Sequence, residues 1–128
     1  MSHMSEVKLL RRRAKAFLAR ASDSLNSGDY DLASFLSEQA VQLHLKSILL
    51  ERLGDYPRVH SISLLVSVLK KISNCDALVK FLEEKRKDVS LMEDAYIASR
   101  YLVREYTREE AEALINLAKE VLKYGELF

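Results

Sequence analysis

The residues best suited to chemistry lie between Tyr96 and Tyr106, in the run YIASRYLVREY. If this run is helical, Arg100 and Arg104 are one turn apart and share a face with Tyr96. Like charges at that spacing destabilise a helix by about 0.2 to 0.5 kcal/mol, so acidic partners or a bound anion should offset them. Guanidinium and tyrosine hydroxyl groups are donors used in phosphate recognition. We therefore take Tyr96, Arg100, Tyr101 and Arg104 as candidate phosphate-binding residues. The alternative is that the tyrosines pack between helices and the arginines pair with nearby glutamates.

Histidine is the other residue type that could carry out chemistry here. His60 stands just before Ser61, where a histidine usually bonds to backbone groups as a loop or capping residue. Because an ordinary histidine pKa lies near about 6.5, His60 is also the weak candidate for a catalytic proton carrier. His44 falls between two leucines in the middle of a predicted helix, and we expect it to be a half-buried packing residue.

Several other classes of chemistry are excluded for want of suitable residues. The chain has three glycines, and they stand far apart, which excludes a glycine-rich phosphate loop. A zinc site needs about four ligands, and Cys75 with His44 and His60 cannot supply them. The positions three residues before these histidines hold Val41 and Pro57, not the glutamates of a di-iron bundle. We therefore expect no metal and no cofactor.

The elements that must position these residues are helices, because apolar residues recur at steps of three and four along the whole chain. Gly28 and Gly54 suit the left-handed residue that ends a helix, and Ser61 suits a helix cap. Thr107 and Glu110 fit the reciprocal cap of a last helix. The polar stretch 83–88 makes a bend in the fourth helix plausible. The five predicted helices cover about residues 5–26, 30–53, 62–72, 76–102 and 108–124.

The composition is that of one globular domain. The 128 residues are 48% hydrophobic and 30% charged, with a net charge of +1 that gives no global attraction to nucleic acid or membrane. Only one proline and three glycines nearly exclude an all-β fold. No apolar run approaches the roughly 20 residues of a membrane span. We predict an all-α, antiparallel up-and-down bundle in a single cytoplasmic domain, residues 5–128. Residues 1–4 resemble an expression-tag remnant.

Three stretches resemble the HEPN family (higher eukaryotes and prokaryotes nucleotide-binding). Residues 28–43, GDYDLASFLSEQAVQL, closely resemble the second-helix pattern of HEPN domains. Residues 57–62, PRVHSI, are similar to the family's proline and His-Ser entry to the third helix. Tyr96 followed by Arg100-Tyr101 is similar to its Tyr…Arg-Tyr element before the last helix. Together the resemblance spans about residues 13–122.

The resemblance implies a helical bundle that usually dimerises. Many prokaryotic members are encoded beside a small nucleotidyltransferase as a toxin–antitoxin pair, and active members are metal-independent ribonucleases with an arginine followed after four to six residues by a histidine. In this chain the corresponding window before His44 holds residues 37–39, and the window before His60 holds residues 53–55. Neither window contains an arginine, so the family's catalytic pair is absent.

These observations lead to three functional hypotheses. The first is a HEPN-like protein that binds nucleotide or RNA phosphate, forms a homodimer, and acts as partner of a small nucleotidyltransferase. The second is a metal-independent ribonuclease of atypical geometry that uses His60. The third is a non-catalytic interaction bundle in which the apolar excess of the second helix receives a helix of another protein.

Overall fold

A computed structural model describes residues 3–72, 75–98 and 104–124, and this part of the chain contains six α-helices and no strand. The helices are α1 (His3–Asn26), α2 (Tyr30–Leu53), α3 (Ile62–Leu69), α4 (Asp76–Glu84), α5 (Arg86–Ala98) and α6 (Arg108–Tyr124). The predicted all-α bundle is therefore confirmed.

The ends of the two long helices follow the local sequence signals. Gly28 adopts φ +83° after α1, and the amide of Asp29 donates to the carbonyl of Ser24 at 2.8 Å. Gly54 adopts φ +80° after α2, and its amide donates to the carbonyl of Leu50 at 2.9 Å. Both glycines occupy the left-handed conformation that side chains with a Cβ disfavour. The tight turn at Gly28 lets α2 fold back against α1.

Helix α2 lies at the centre of the bundle, as its apolar residues on several faces predict. It packs against α1, α3, α5 and α6. Several of its large apolar side chains, including Leu45, Ile48 and Leu49, are fully buried in the main core. These apolar side chains therefore pack against other helices of the same domain. Two apolar side chains of α2, Leu32 and Leu53, remain exposed.

The predicted fourth helix is divided into α4 and α5. Lys85 leaves the helical conformation with φ −101° and ψ +24°. Its amide still donates to the carbonyl of Phe81 at 3.1 Å, and its carbonyl accepts from the amide of Val89 at 2.9 Å. The chain thus bends within the polar stretch 83–88 while the backbone groups of Lys85 keep their partners.

Helix α6 begins with the predicted reciprocal cap. The Glu110 amide donates to Thr107 Oγ1 at 3.1 Å, and the Thr107 amide donates to Glu110 Oε1 at 3.0 Å. The preceding residue is tied to α2, because the Tyr106 amide donates to Asp31 Oδ1 at 2.6 Å. Ser61 likewise caps α3 by accepting from the amide of Leu64 at 3.2 Å.

None of the helices within the described ranges is long and apolar enough to cross a membrane.

Candidate functional site

Helix α2 buries an unusual number of polar side chains. They have relative exposures between 0% and 8%: Ser34, Ser37, Glu38, Gln42, His44, Lys46 and Ser47. Serine hydroxyls are easily satisfied inside a helix, and Ser37 Oγ donates to the carbonyl of Ala33 at 2.9 Å. Glu38, Gln42 and Lys46 are different, because they follow one another at four-residue spacing and form a continuous polar ridge along one face of α2.

The carboxylate of Glu38 is the most buried charged group of this ridge. Its side chain is 0% exposed and accepts hydrogen bonds from Gln39 Nε2 at 2.8 Å and from Gln42 Nε2. Lys46 Nζ in turn donates to Gln42 Oε1 at 3.4 Å. Burial raises the pKa of Glu38 to about 7. The amide hydrogen bonds and Lys46 oppose this rise, whereas the charge of Glu93 adds to it.

Glu93, on α5, contacts the beginning of α3. Its Oε2 accepts from Ser61 Oγ at 3.3 Å, and its Oε1 accepts from Ser63 Oγ. Ser61 is also the cap of α3, so one half-buried carboxylate fixes the start of α3 against α5. Because its charge acts on Glu38, Glu93 couples this junction to the polar ridge of α2.

An aromatic column lies beside these carboxylates. The ring of Tyr96 is stacked on the ring of His60, with centroids 5.4 Å apart and planes inclined by 19°. Tyr96 also stacks on Phe35 of α2, with centroids 6.5 Å apart and planes inclined by 21°. His60 is exposed and stands at the outer end of the column. The structure thus brings together two residues that the sequence offered for separate roles. We call the surface formed by His60, Tyr96 and Glu93 the His60–Tyr96 surface.

Cationic side chains lie beside the same connecting segment. The guanidinium of Arg58 lies over the ring of Tyr56, 4.5 Å from its centroid, and is largely exposed beside Asp55 at 3.8 Å. Lys46 Nζ is 5.8 Å from the centroid of the same ring. Burial lowers the pKa of Lys46, and the charge of Arg58 adds to this effect. Arg58 is therefore the exposed cation of the segment leading to His60, and Asp55 partly balances its charge.

Of the other three predicted phosphate-binding residues, only Arg104 lies in the described part of the chain. Arg100 and Tyr101 lie outside the described residues. Arg104 lies in the non-helical segment 104–107. Its guanidinium donates to Glu110 Oε2 at 2.9 Å and lies 4.5 Å from the ring centroid of Tyr106. Arg104 is thus engaged with the beginning of α6.

The contacts of Tyr106, which lies beside Arg104, connect several helices of the bundle. Its hydroxyl donates to the carbonyl of Leu91 at 3.0 Å, and its side chain is almost fully buried. Burial raises the pKa of Tyr106 to about 12, which Arg104 partly opposes. Together with the bond from the Tyr106 amide to Asp31, these contacts join α2, α5 and α6.

Sequence reasoning missed the importance of Glu38, Gln42 and Glu93. The signal available was their polarity at positions where the apolar pattern of α2 and α5 predicts burial. His44, which we expected to be half buried, is 2% exposed. Within the described part of the chain, no group of three or more His, Cys, Asp or Glu side chains is arranged to hold a metal ion.

The fold and this site define a small all-α bundle that combines an aromatic stack, a half-buried carboxylate and an exposed arginine near His60. The HEPN domain family model matches residues 7–127, and the chain belongs to this family. It is similar to the crystal structure of TT1696 from Thermus thermophilus, with a TM-score of 0.78 and 29% identity over 94% of this chain and 96% of that one.

A second solved structure supports the same assignment. It is ST0689, described as an archaeal HEPN homologue, with a TM-score of 0.70 and 29% identity over 94% of each chain. Comparison with curated proteins gives no significant match.

Proposed function

We propose that this HEPN domain binds a nucleotide or RNA at the His60–Tyr96 surface without cleaving it. The observation that carries the proposal is the stack of His60 on Tyr96, because it ends in an exposed ring. A nucleobase can continue such a column, and base stacking on aromatic side chains contributes about 1–3 kcal/mol per base. Since every base has a π face, the stack alone accepts many sequences.

Phosphate groups of the bound molecule would be met by the basic side chains around the column. Arg58 is exposed and held over Tyr56, only two residues before His60. Arg100 and Tyr101 follow Tyr96 in the chain, and their similarity to the family's Tyr…Arg-Tyr element supports a place for them in the same site. Guanidinium groups suit this role because their planar fork matches phosphate oxygens.

The proposal favours binding over cleavage because the family's arginine-then-histidine spacing does not occur before His44 or His60. We extend the proposal to a cytoplasmic homodimer that partners a small nucleotidyltransferase in a toxin–antitoxin-type pair. Family membership supports this extension, and two-fold symmetry would present the His60–Tyr96 surface twice.

Titration of the protein with nucleoside monophosphates and short RNAs tests the binding proposal. Tyr96→Ala should weaken binding by tenfold or more, whereas the matched variant Tyr124→Ala, which removes a tyrosine packed on Phe81, should not. Arg58→Ala and Arg100→Ala should reduce the salt dependence of RNA binding, because each removes a phosphate contact. Unchanged affinity in Tyr96→Ala and in both arginine variants would refute the proposal.

The exposure of His60 keeps the ribonuclease alternative open to a direct test. Structured RNA is incubated with the protein in the presence of a chelator, and cleavage products are resolved by electrophoresis. Our proposal predicts no cleavage. Cleavage that persists with chelator and is lost in His60→Ala would establish the ribonuclease instead.

A further inference from the structure

We infer that the His60–Tyr96 surface selects guanine among the bases, with the carboxylate of Glu93 reading the base edge. This inference rests on the proposed function and specifies its ligand. It starts from the position of Glu93, one turn before Tyr96 on α5 and bonded to Ser61, the residue that follows His60. Glu93 is therefore bonded to the chain neighbour of His60 and lies one helical turn from Tyr96.

Glu93 has acceptor capacity left for a ligand. A carboxylate offers about four lone-pair positions, and the hydroxyls of Ser61 and Ser63 use one on each oxygen. The side chain is only half buried, and Ser63 is exposed. The two serines hold the carboxylate in place, so little ordering cost remains when a ligand binds.

The position of Glu38 supports an acceptor role for Glu93. Because Glu38 is fully enclosed by protein, its burial raises its pKa and favours a proton there. Glu93, by contrast, has two hydroxyl donors facing its oxygens. Lys46 and Arg58, from α2 and the segment before α3, are the cations that act in this region.

A carboxylate held beside a stacked base distinguishes one base from another by the donors and acceptors on the edge of the base. Guanine presents two adjacent donors on its Watson–Crick edge, N1–H and the 2-amino group, which match the two oxygens of a carboxylate. Adenine presents an acceptor at N1, and uracil flanks its single N–H with carbonyl oxygens, so each would face the carboxylate with a lone pair. Sites that leave a polar group unpaired against the wrong ligand discriminate strongly.

The test measures the affinities of guanosine, inosine and adenosine 5′-monophosphates for the whole chain by isothermal titration calorimetry. Wild-type protein should bind guanosine monophosphate at least tenfold more tightly than adenosine monophosphate, with inosine monophosphate between them because it lacks the 2-amino group. Glu93→Gln should reduce the guanosine-to-adenosine ratio to below threefold. Asp94→Asn, an exposed acid-to-amide change at the neighbouring position, should leave the ratio unchanged.

The outcomes separate the inference from the proposed function. Equal binding of the guanine and adenine nucleotides to wild-type protein would overturn the guanine inference and leave the binding function standing. A preserved ratio in Glu93→Gln would overturn the role of Glu93. Binding of none of the nucleotides and of no RNA would overturn the proposed function and the inference with it. The wild-type comparison decides the selectivity even if Glu93→Gln does not fold.

Discussion

The buried carboxyl of Glu38 makes the stability of this domain depend on pH in a predictable direction. Burial raises the pKa of Glu38 from an ordinary value of 4.5 to about 7. Between these values the folded state binds more protons than the unfolded state, so the free energy of unfolding falls as pH rises. This contribution is fully present below pH 4.5 and is lost by about pH 7. We predict that Glu38→Gln removes this dependence.

The magnitude follows from the size of the pKa change. One pH unit corresponds to about 1.4 kcal/mol, so a rise from 4.5 to about 7 corresponds to about 3 kcal/mol. Glutamine has nearly the shape of a protonated glutamate, so we expect little difference between the two proteins at pH 4.5. At pH 8 the variant should be more stable by up to about 3 kcal/mol, or roughly 10 °C in Tm for a domain of this size.

Urea denaturation followed by far-UV circular dichroism at intervals from pH 4.5 to pH 8 measures this effect. The relevant quantity is the difference between variant and wild type at each pH, because contributions from groups that do not interact with Glu38 cancel in it. Glu84→Gln, an exposed glutamate in α4, is the matched control and should give a difference close to zero throughout.

A difference that stays constant from pH 4.5 to pH 8 would refute the reasoning, because it would mean that Glu38 titrates alike in the folded and unfolded states. A variant that is less stable at every pH would show that the hydrogen bonds from Gln39 and Gln42 to the carboxylate outweigh its desolvation. Either result would contradict the conclusion that burial is the main influence on the pKa of Glu38.

Three further predictions concern folding and are checked by thermal or urea denaturation. Thr107→Ala removes the cap of α6 and should cost about 1 kcal/mol, with Thr107→Ser restoring most of it. Gly28→Ala should cost about 1 kcal/mol and Gly28→Asn less, because φ is +83° and no atom lies within 4 Å of an added Cβ, so only backbone strain acts. Leu49→Ala removes a fully buried side chain and should cost about 2–5 kcal/mol, whereas Leu53→Ala, at a position 56% exposed, should cost under about 1 kcal/mol.

Much of the fold could be predicted because its signals are local. The left-handed glycines Gly28 and Gly54, the cap at Ser61 and the reciprocal pair of Thr107 and Glu110 each depend on residues within one helical turn. Such signals act over short distances, and the structure confirms all of them. The division at Lys85 was harder to foresee, because no glycine or proline marks it.

The candidate site could be predicted only in part, because it depends on contacts between residues far apart in the chain. Ser61 and Glu93 are separated by 32 positions, and Asp31 and Tyr106 by 75. A sequence shows the residue types at these positions but not that the fold joins them. Arg104 pairs with Glu110, so the acidic partner that the sequence analysis offered as the alternative is present for this arginine.

The energetic cost of the polar ridge argues for its connection with function. Ser37 is buried in the same helix at little cost, because its hydroxyl bonds to a backbone carbonyl. From the raised pKa of Glu38 we expect a cost to the folded domain of about 3 kcal/mol at neutral pH, a large part of the total stability of a domain of this size. An apolar residue would remove that cost, and natural sequences depart from such local rules mainly at functional sites. Glu38 acts on Glu93, which in turn holds Ser61 beside His60. The α2 side chain with the largest expected cost therefore acts on the carboxylate that holds Ser61 beside His60.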